Sequence, residues 1–78
     1  MKTWEVNYGA HVVTVENRAS GERLYVNGEL QDEQLGINVG SRLCGQLPTG
    51  EDVKVSIGGV WKIHCRIFID NKMIFPKK

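Results

Sequence analysis

The side chains in this 78-residue sequence that could hold a soft metal are His11, Cys44, His64 and Cys65. A structural zinc site needs about four such ligands converging on one small space. His64 and Cys65 are neighbours in a strand-like stretch, so they point to opposite faces and cannot both reach one ion. No metal is assigned, and the four read as surface imidazoles and reduced, buried thiols. A nucleophile and base could be drawn from Ser20, Ser41, Ser56, Cys44 and the two histidines, yet no spacing singles out a pair. Gly58-Gly59 lacks the Lys-Ser/Thr and helix of a phosphate loop and reads as a hairpin turn. With no pocket-forming insertion, no catalytic residue and no cofactor is assigned. A small enzyme or metal-binding protein stands as the second alternative.

Recognition chemistry is the other possibility. Tyr8, Tyr25 and Phe68 could stack bases on a small β-barrel, but 10 basic against 9 acidic side chains give a net charge of +1. That balance argues against nucleic acid, because such affinity leans on neutralising phosphates. A nucleic-acid-binding small β-barrel is therefore the first alternative, and a protein-binding or assembly module is the preferred reading. Val60, Lys62, His64, Arg66 and Phe68 share a face too mixed for core and too apolar for plain surface. Two Arg-x-aromatic steps, Arg23-x-Tyr25 and Arg66-x-Phe68, point away from the core-forming positions beside them. Arginine and tyrosine offer large contact areas with directional donors, so the candidate contact residues are Arg23, Tyr25, His64, Arg66 and Phe68. If their strands pair in one sheet, the two steps form one patch for a protein partner or a second copy of the chain. The plainer outcome is a Tyr25–Phe68 cross-strand pair that only stabilises the sheet.

The elements that must position these residues are strands. Trp4, Val6 and Tyr8 alternate with Glu5 and Asn7, and the β-branched run Val12-Val13-Thr14-Val15 follows the Gly9 turn. Leu24 and Val26 lead into Asn27-Gly28, the strongest short-range hairpin signal, and a hairpin closes on Glu29 to Gln31. Residues 31–40 read as loop with one short edge strand through Leu35, Ile37 and Val39, the alternative being a helix around Asp32 to Leu35 that Gly36 and Gly40 would cut to about one turn. Ser41 to Leu47 is a strand ended by Pro48-Thr49-Gly50, and Val53, Val55 and Ile57 mark another. The longest run is 60–70, with Trp61, Ile63, Cys65, Ile67 and Ile69 inward, turned by Asp70-Asn71 into Met73-Ile74-Phe75. The expected core is Trp4, Val6, Val13, Val15, Leu24, Val26, Val53, Val55, Ile57, Trp61, Ile63, Cys65, Ile67 and Ile69.

The fold class is all-β: a small antiparallel β-sandwich or partly open barrel of about six to seven short strands joined by hairpins. Seventy-eight residues make one domain, since a chain this short buries only about 60 to 65% of its unfolded surface. Apolar residues at 41% and charged residues at 24% are too apolar for disorder. Met1-Lys2-Thr3-Trp4-Glu5 does not read as a secretory signal, and no run approaches the roughly 20 apolar residues of a membrane helix. The expected compartment is cytoplasmic, with no membrane partner. Residues 23–30 and 66–73 match in residue type at each position, and the echo extends upstream, which suggests a pseudo-repeat of 4–30 and 53–75.

Trp4-Glu5-Val6, His11-Val12-Val13, Ser20-Gly21-Glu22-Arg23 and Val26-Asn27-Gly28 together resemble the opening block of the Fas apoptotic inhibitory molecule family. Ser56-Ile57-Gly58 and Ile69-Asp70-Asn71 are similar to its closing block. The resemblance implies an antiparallel β-sandwich and an interaction or protective role without an active site. The chain is shorter than that family's members, so no partner or functional residue is carried over.

Overall fold

The computed structural model describes residues 2–36, 40–59 and 62–76. Within them the chain forms eight strands: β1 (Lys2–Tyr8), β2 (His11–Arg18), β3 (Gly21–Val26), β4 (Glu29–Leu35), β5 (Gly40–Gln46), β6 (Asp52–Gly58), β7 (His64–Ile69) and β8 (Lys72–Phe75). They build two four-stranded antiparallel meanders, β1-β2-β3-β4 and β5-β6-β7-β8. Among the described residues no strand pairing joins the sheets into a barrel, so the fold is a sandwich.

Alternation in the sequence becomes rows across each sheet. Trp4, Val15 and Leu24 lie side by side in the first sheet, as do Val6, Val13 and Val26. Leu43, Val55 and Ile67 form the matching row in the second, and Val53 pairs with Ile69. These inner rows meet as one core, in which Val13, Val15, Leu24, Val53 and Ile67 are fully buried. Each such side chain contributes about 1.5–3 kcal/mol relative to exposure.

The sheets meet along β4 and β5, with β3 also against β5. The carboxylate of Asp32 accepts from the backbone N–H of Cys44 at 2.8 Å, and Gln31 accepts from that of Gln46 at 3.3 Å. Side chains of one sheet thus cap the free edge of the other. Gly45 makes room for this, because a Cβ there would lie 3.0 Å from that of Gln31. Deeper in, buried Glu22 accepts from Asn17 at 2.9 Å and from the hydroxyl of Ser41, tying the two sheets together.

Several expectations need correction. The strand expected over 60–70 is only His64–Ile69, and Ile63 lies before it, 38% exposed and outside the core. Gly58-Gly59 is not a tight hairpin turn: β6 ends at Gly58 and β7 begins at His64, and a Cβ on Gly59 would strike the carbonyl of Lys62. Val60, Trp61, Ile37 and Val39 lie outside the described residues. Val6 is only half-buried, while Leu43 and Leu47 join the core. Cys44 is an exposed free thiol and Cys65 a buried one. Residues 31–35 of the stretch read as a loop belong to β4, a strand without apolar alternation because Gln31 and Asp32 bond to the edge of β5 instead of packing in the core.

The two echoing hairpins share fine geometry. In the first, Asn27 donates its N–H to the carbonyl of Val12 at 2.8 Å and accepts from the N–H of Val12 at 2.9 Å. In the second, Asp70 does the same with Asp52, at 2.9 and 3.0 Å. Each hairpin also breaks register one step beyond its aromatic, between Leu24 and Tyr25 and between Ile67 and Phe68. The upstream strands do not correspond as the echo suggested, since β1 is an edge strand and β6 an inner one.

Candidate functional site

No helix covers the outer face of either sheet among the described residues, so each presents its outward side chains directly. In the second sheet, strand parity puts Arg42 and Cys44, Lys54 and Ser56, and His64, Arg66 and Phe68 outward. Register sets them in two rows. Arg42, Ser56 and Arg66 lie side by side across β5, β6 and β7, and Cys44, Lys54, Phe68 and Met73 form the neighbouring row. Adjacent strands lie about 4.8 Å apart, so the arginines flank Ser56 at roughly 10 Å backbone separation, with Lys54 between them one row away. Arg42, Cys44, Lys54, Ser56, Arg66 and Phe68 line a shallow open depression of about 470 Å³.

Electrostatics separate this face from its counterpart. Among the described residues the ion pairs are Arg18–Glu16 at 3.0 Å and Arg23–Glu33 at 2.7 Å, both on the first sheet. Among the described residues neither Arg42 nor Arg66 is in an ion pair, and Lys54 reaches the side-chain oxygen of Asn71 at 3.3 Å. The carboxylates around this face are engaged elsewhere: Asp32 accepts from the backbone N–H of Cys44 at the β5 edge, and Asp70, at the end of the sheet, accepts from that of Asp52. The overall balance conceals a division: residues 1–36 carry three basic and six acidic side chains, and residues 37–78 carry seven basic and three acidic. Three cations on one sheet face, none of them in an ion pair among the described residues, form a local positive field.

The five residues singled out in the sequence divide between the sheets. His64, Arg66 and Phe68 share the outer face of β7. Arg23 and Tyr25 are on β3 of the other sheet, so the two Arg-x-aromatic steps do not meet in one patch, and Tyr25 does not pair with Phe68. Arg23 is also occupied within its own sheet. Hydrogen bonding to Tyr25, and then bonding and attraction to Glu33, raise its pKa above the ordinary guanidinium value. Sequence reasoning missed Arg42 and Lys54, which the charge division between the two halves of the chain would have flagged, and took Ser56 for a candidate nucleophile instead of a neighbour of Arg42 and Arg66.

Among the described residues no cluster of three or more His, Cys, Asp or Glu side chains could hold a metal ion, and no helix is long and apolar enough to cross a membrane. Burial pushes the Cys65 thiol up to about 12, which keeps it protonated and poorly nucleophilic at neutral pH. Comparison with known proteins finds no match in any of three searches: no family, no characterised sequence and no solved structure.

Proposed function

We propose that this chain is a small, non-catalytic, cytoplasmic binding module whose contact surface is the outer face of the β5-β6-β7-β8 sheet, and that its partner is anionic. The observation that carries this reading is the row Arg42–Ser56–Arg66 with Lys54 and Phe68 beside it: among the described residues these cations are in no ion pair and no other element covers their face. The resemblance of the opening and closing blocks to the Fas apoptotic inhibitory molecule family supports a role without catalysis. An exposed Arg–carboxylate pair contributes only modestly to stability, so cations left unpaired on one face cost the fold little and remain free for a ligand.

Retention on immobilised heparin tests the reading. The protein should bind at low salt and elute as ionic strength rises. Replacing Arg42 and Arg66 together by Ala should abolish retention, whereas Arg23→Ala, on the opposite sheet and already engaged by Glu33, should leave it unchanged. Passage of the unaltered protein through heparin at low salt would reject the proposal, as would equal losses from the two variants.

A further inference from the structure

Resting on that reading, we infer that the anionic partner is a single-stranded nucleic acid, with Phe68 as the stacking platform and Arg42, Lys54 and Arg66 as its phosphate contacts.

Three features of the face choose this class. The first is its shape. Reading a duplex requires a helix or ribbon that can enter a groove, and the described residues of this sheet offer only a broad, open surface. An unpaired strand can instead lie across a sheet, splaying its bases onto the protein.

The second is the position of the aromatic. Phe68 lies on the inner strand β7, directly across from Lys54 on β6 and Met73 on β8. It is half-buried, and the cation stacked on an aromatic ring among the described residues is Lys2 over Trp4, at 5.7 Å in the other sheet. A base stacked on Phe68 would have Lys54 on one side and Arg66 two residues back along the same strand. An aromatic flanked by cations in two rows is the pairing that single-strand binders use.

The third is what the face lacks. An acidic peptide could add to a sheet through backbone bonds only at an open edge, and at β5, the edge this depression reaches, the backbone N–H groups of Cys44 and Gln46 are already held by Asp32 and Gln31, while the backbones of β6 and β7 are paired on both sides. Only side chains are on offer there. The hydroxyl of Ser56 sits between the two arginines and can donate to the same phosphate they hold.

Fluorescence anisotropy of a labelled 12-nucleotide single strand, alongside the matching duplex and poly-glutamate, tests the inference. The single strand should bind more tightly than either comparison probe. Its affinity should fall with salt at a log–log slope near −2, as roughly three phosphate contacts imply for a single strand. Phe68→Leu should weaken this binding by roughly tenfold while leaving heparin retention intact. Phe68→Trp supplies an independent reading if the leucine variant does not fold: its added emission should be quenched by the oligonucleotide and unaffected by heparin. If heparin is retained but poly-glutamate or the duplex binds as well as the single strand, or Phe68→Trp is not quenched, the partner is another polyanion and this inference fails while the broader reading stands. If heparin is not retained, both fall.

Discussion

Asp32 accepts a hydrogen bond at 2.8 Å from the backbone N–H of Cys44, so a carboxylate of the first sheet occupies the open edge of the second. An exposed strand edge is a template for pairing with another chain, and here β5 is closed by side chains of β4 in place of a ninth strand. Asp32→Ala should lower stability by about 1–2 kcal/mol, because the N–H loses its partner at a half-covered site. It should also promote association through β5. Chemical denaturation with sedimentation of the variant checks both outcomes. Unchanged stability together with a monomeric variant would show that the bond does not close the edge.

Gly21 begins β3 at a φ of 144°, and a Cβ there would strike the carbonyl oxygen of Gln34 and sit 2.9 Å from the Cα of Leu35. Both are backbone atoms of the paired strand β4, which cannot yield as a flexible side chain would. Gly21→Ala should therefore cost about 3 kcal/mol or more, a large part of the stability of so small a domain. Gly28→Ala is the comparison, since its Cβ meets nothing within 4 Å. Thermal melts should rank the two losses in that order.

The inner and outer faces of β7 should differ in the same way. Ile67 is fully buried and Phe68 only half so. Ile67→Ala should cost about 2–5 kcal/mol, more than Phe68→Ser does. Denaturation midpoints for the pair check the assignment, and the reverse order would require the strand to be shifted by one residue.

The legibility of the sequence follows which residues face the core. Val13-Thr14-Val15, Leu24-Tyr25-Val26 and Cys65 to Ile69 alternate because one side of each strand is buried, and each is a strand with the expected inward positions. Glu29–Leu35 does not alternate, because Gln31 and Asp32 serve as acceptors for the edge of β5. Ile63 matches the parity of β7 but precedes its first ladder pair, Gly58 with His64, and periodicity alone does not reveal where pairing stops. The candidate face was half visible. Arg66 and Phe68 stood out by their echo of Arg23 and Tyr25, while Arg42 and Lys54 become neighbours only through the pairing of β5, β6 and β7.

The two thiols should differ in accessibility to reagents. Cys44 is exposed and Cys65 is buried, with its pKa pushed up to about 12 by desolvation. A thiol reagent near pH 8 should modify Cys44 in the native protein and reach Cys65 only after unfolding. The linkage has a definite sign. Between the ordinary thiol value of 9.0 and the raised one, the unfolded chain gives up a proton that the native chain keeps, so this group lowers stability as pH rises above about 9. Cys44→Ser should remove the fast labelling without altering that alkaline decline. Labelling of Cys65 as fast as Cys44 would place it on the outer face.

The hairpin equivalence makes a last prediction about stability. Asn27 and Asp70 both hold positive φ, at 52° and 50°, and each clamps the strand before it through its backbone and its side chain. The next residue differs: Gly28 at φ 84° in the first turn, Asn71 at φ 65° in the second. Positive φ costs a residue with a Cβ, asparagine less than most, and glycine nothing. Asn71→Gly should therefore stabilise the protein by about 0.5 kcal/mol, since all it surrenders is the long contact of Asn71 with Lys54. Asn27→Ala and Asp70→Ala should each cost about 1–3 kcal/mol, with similar values, because they remove the same side-chain acceptor and impose the same backbone strain. Melting temperatures of the three variants check the set. A loss at Asn27 more than twice that at Asp70, or a destabilising Asn71→Gly, would mean that the two turns share a shape without sharing its energetics.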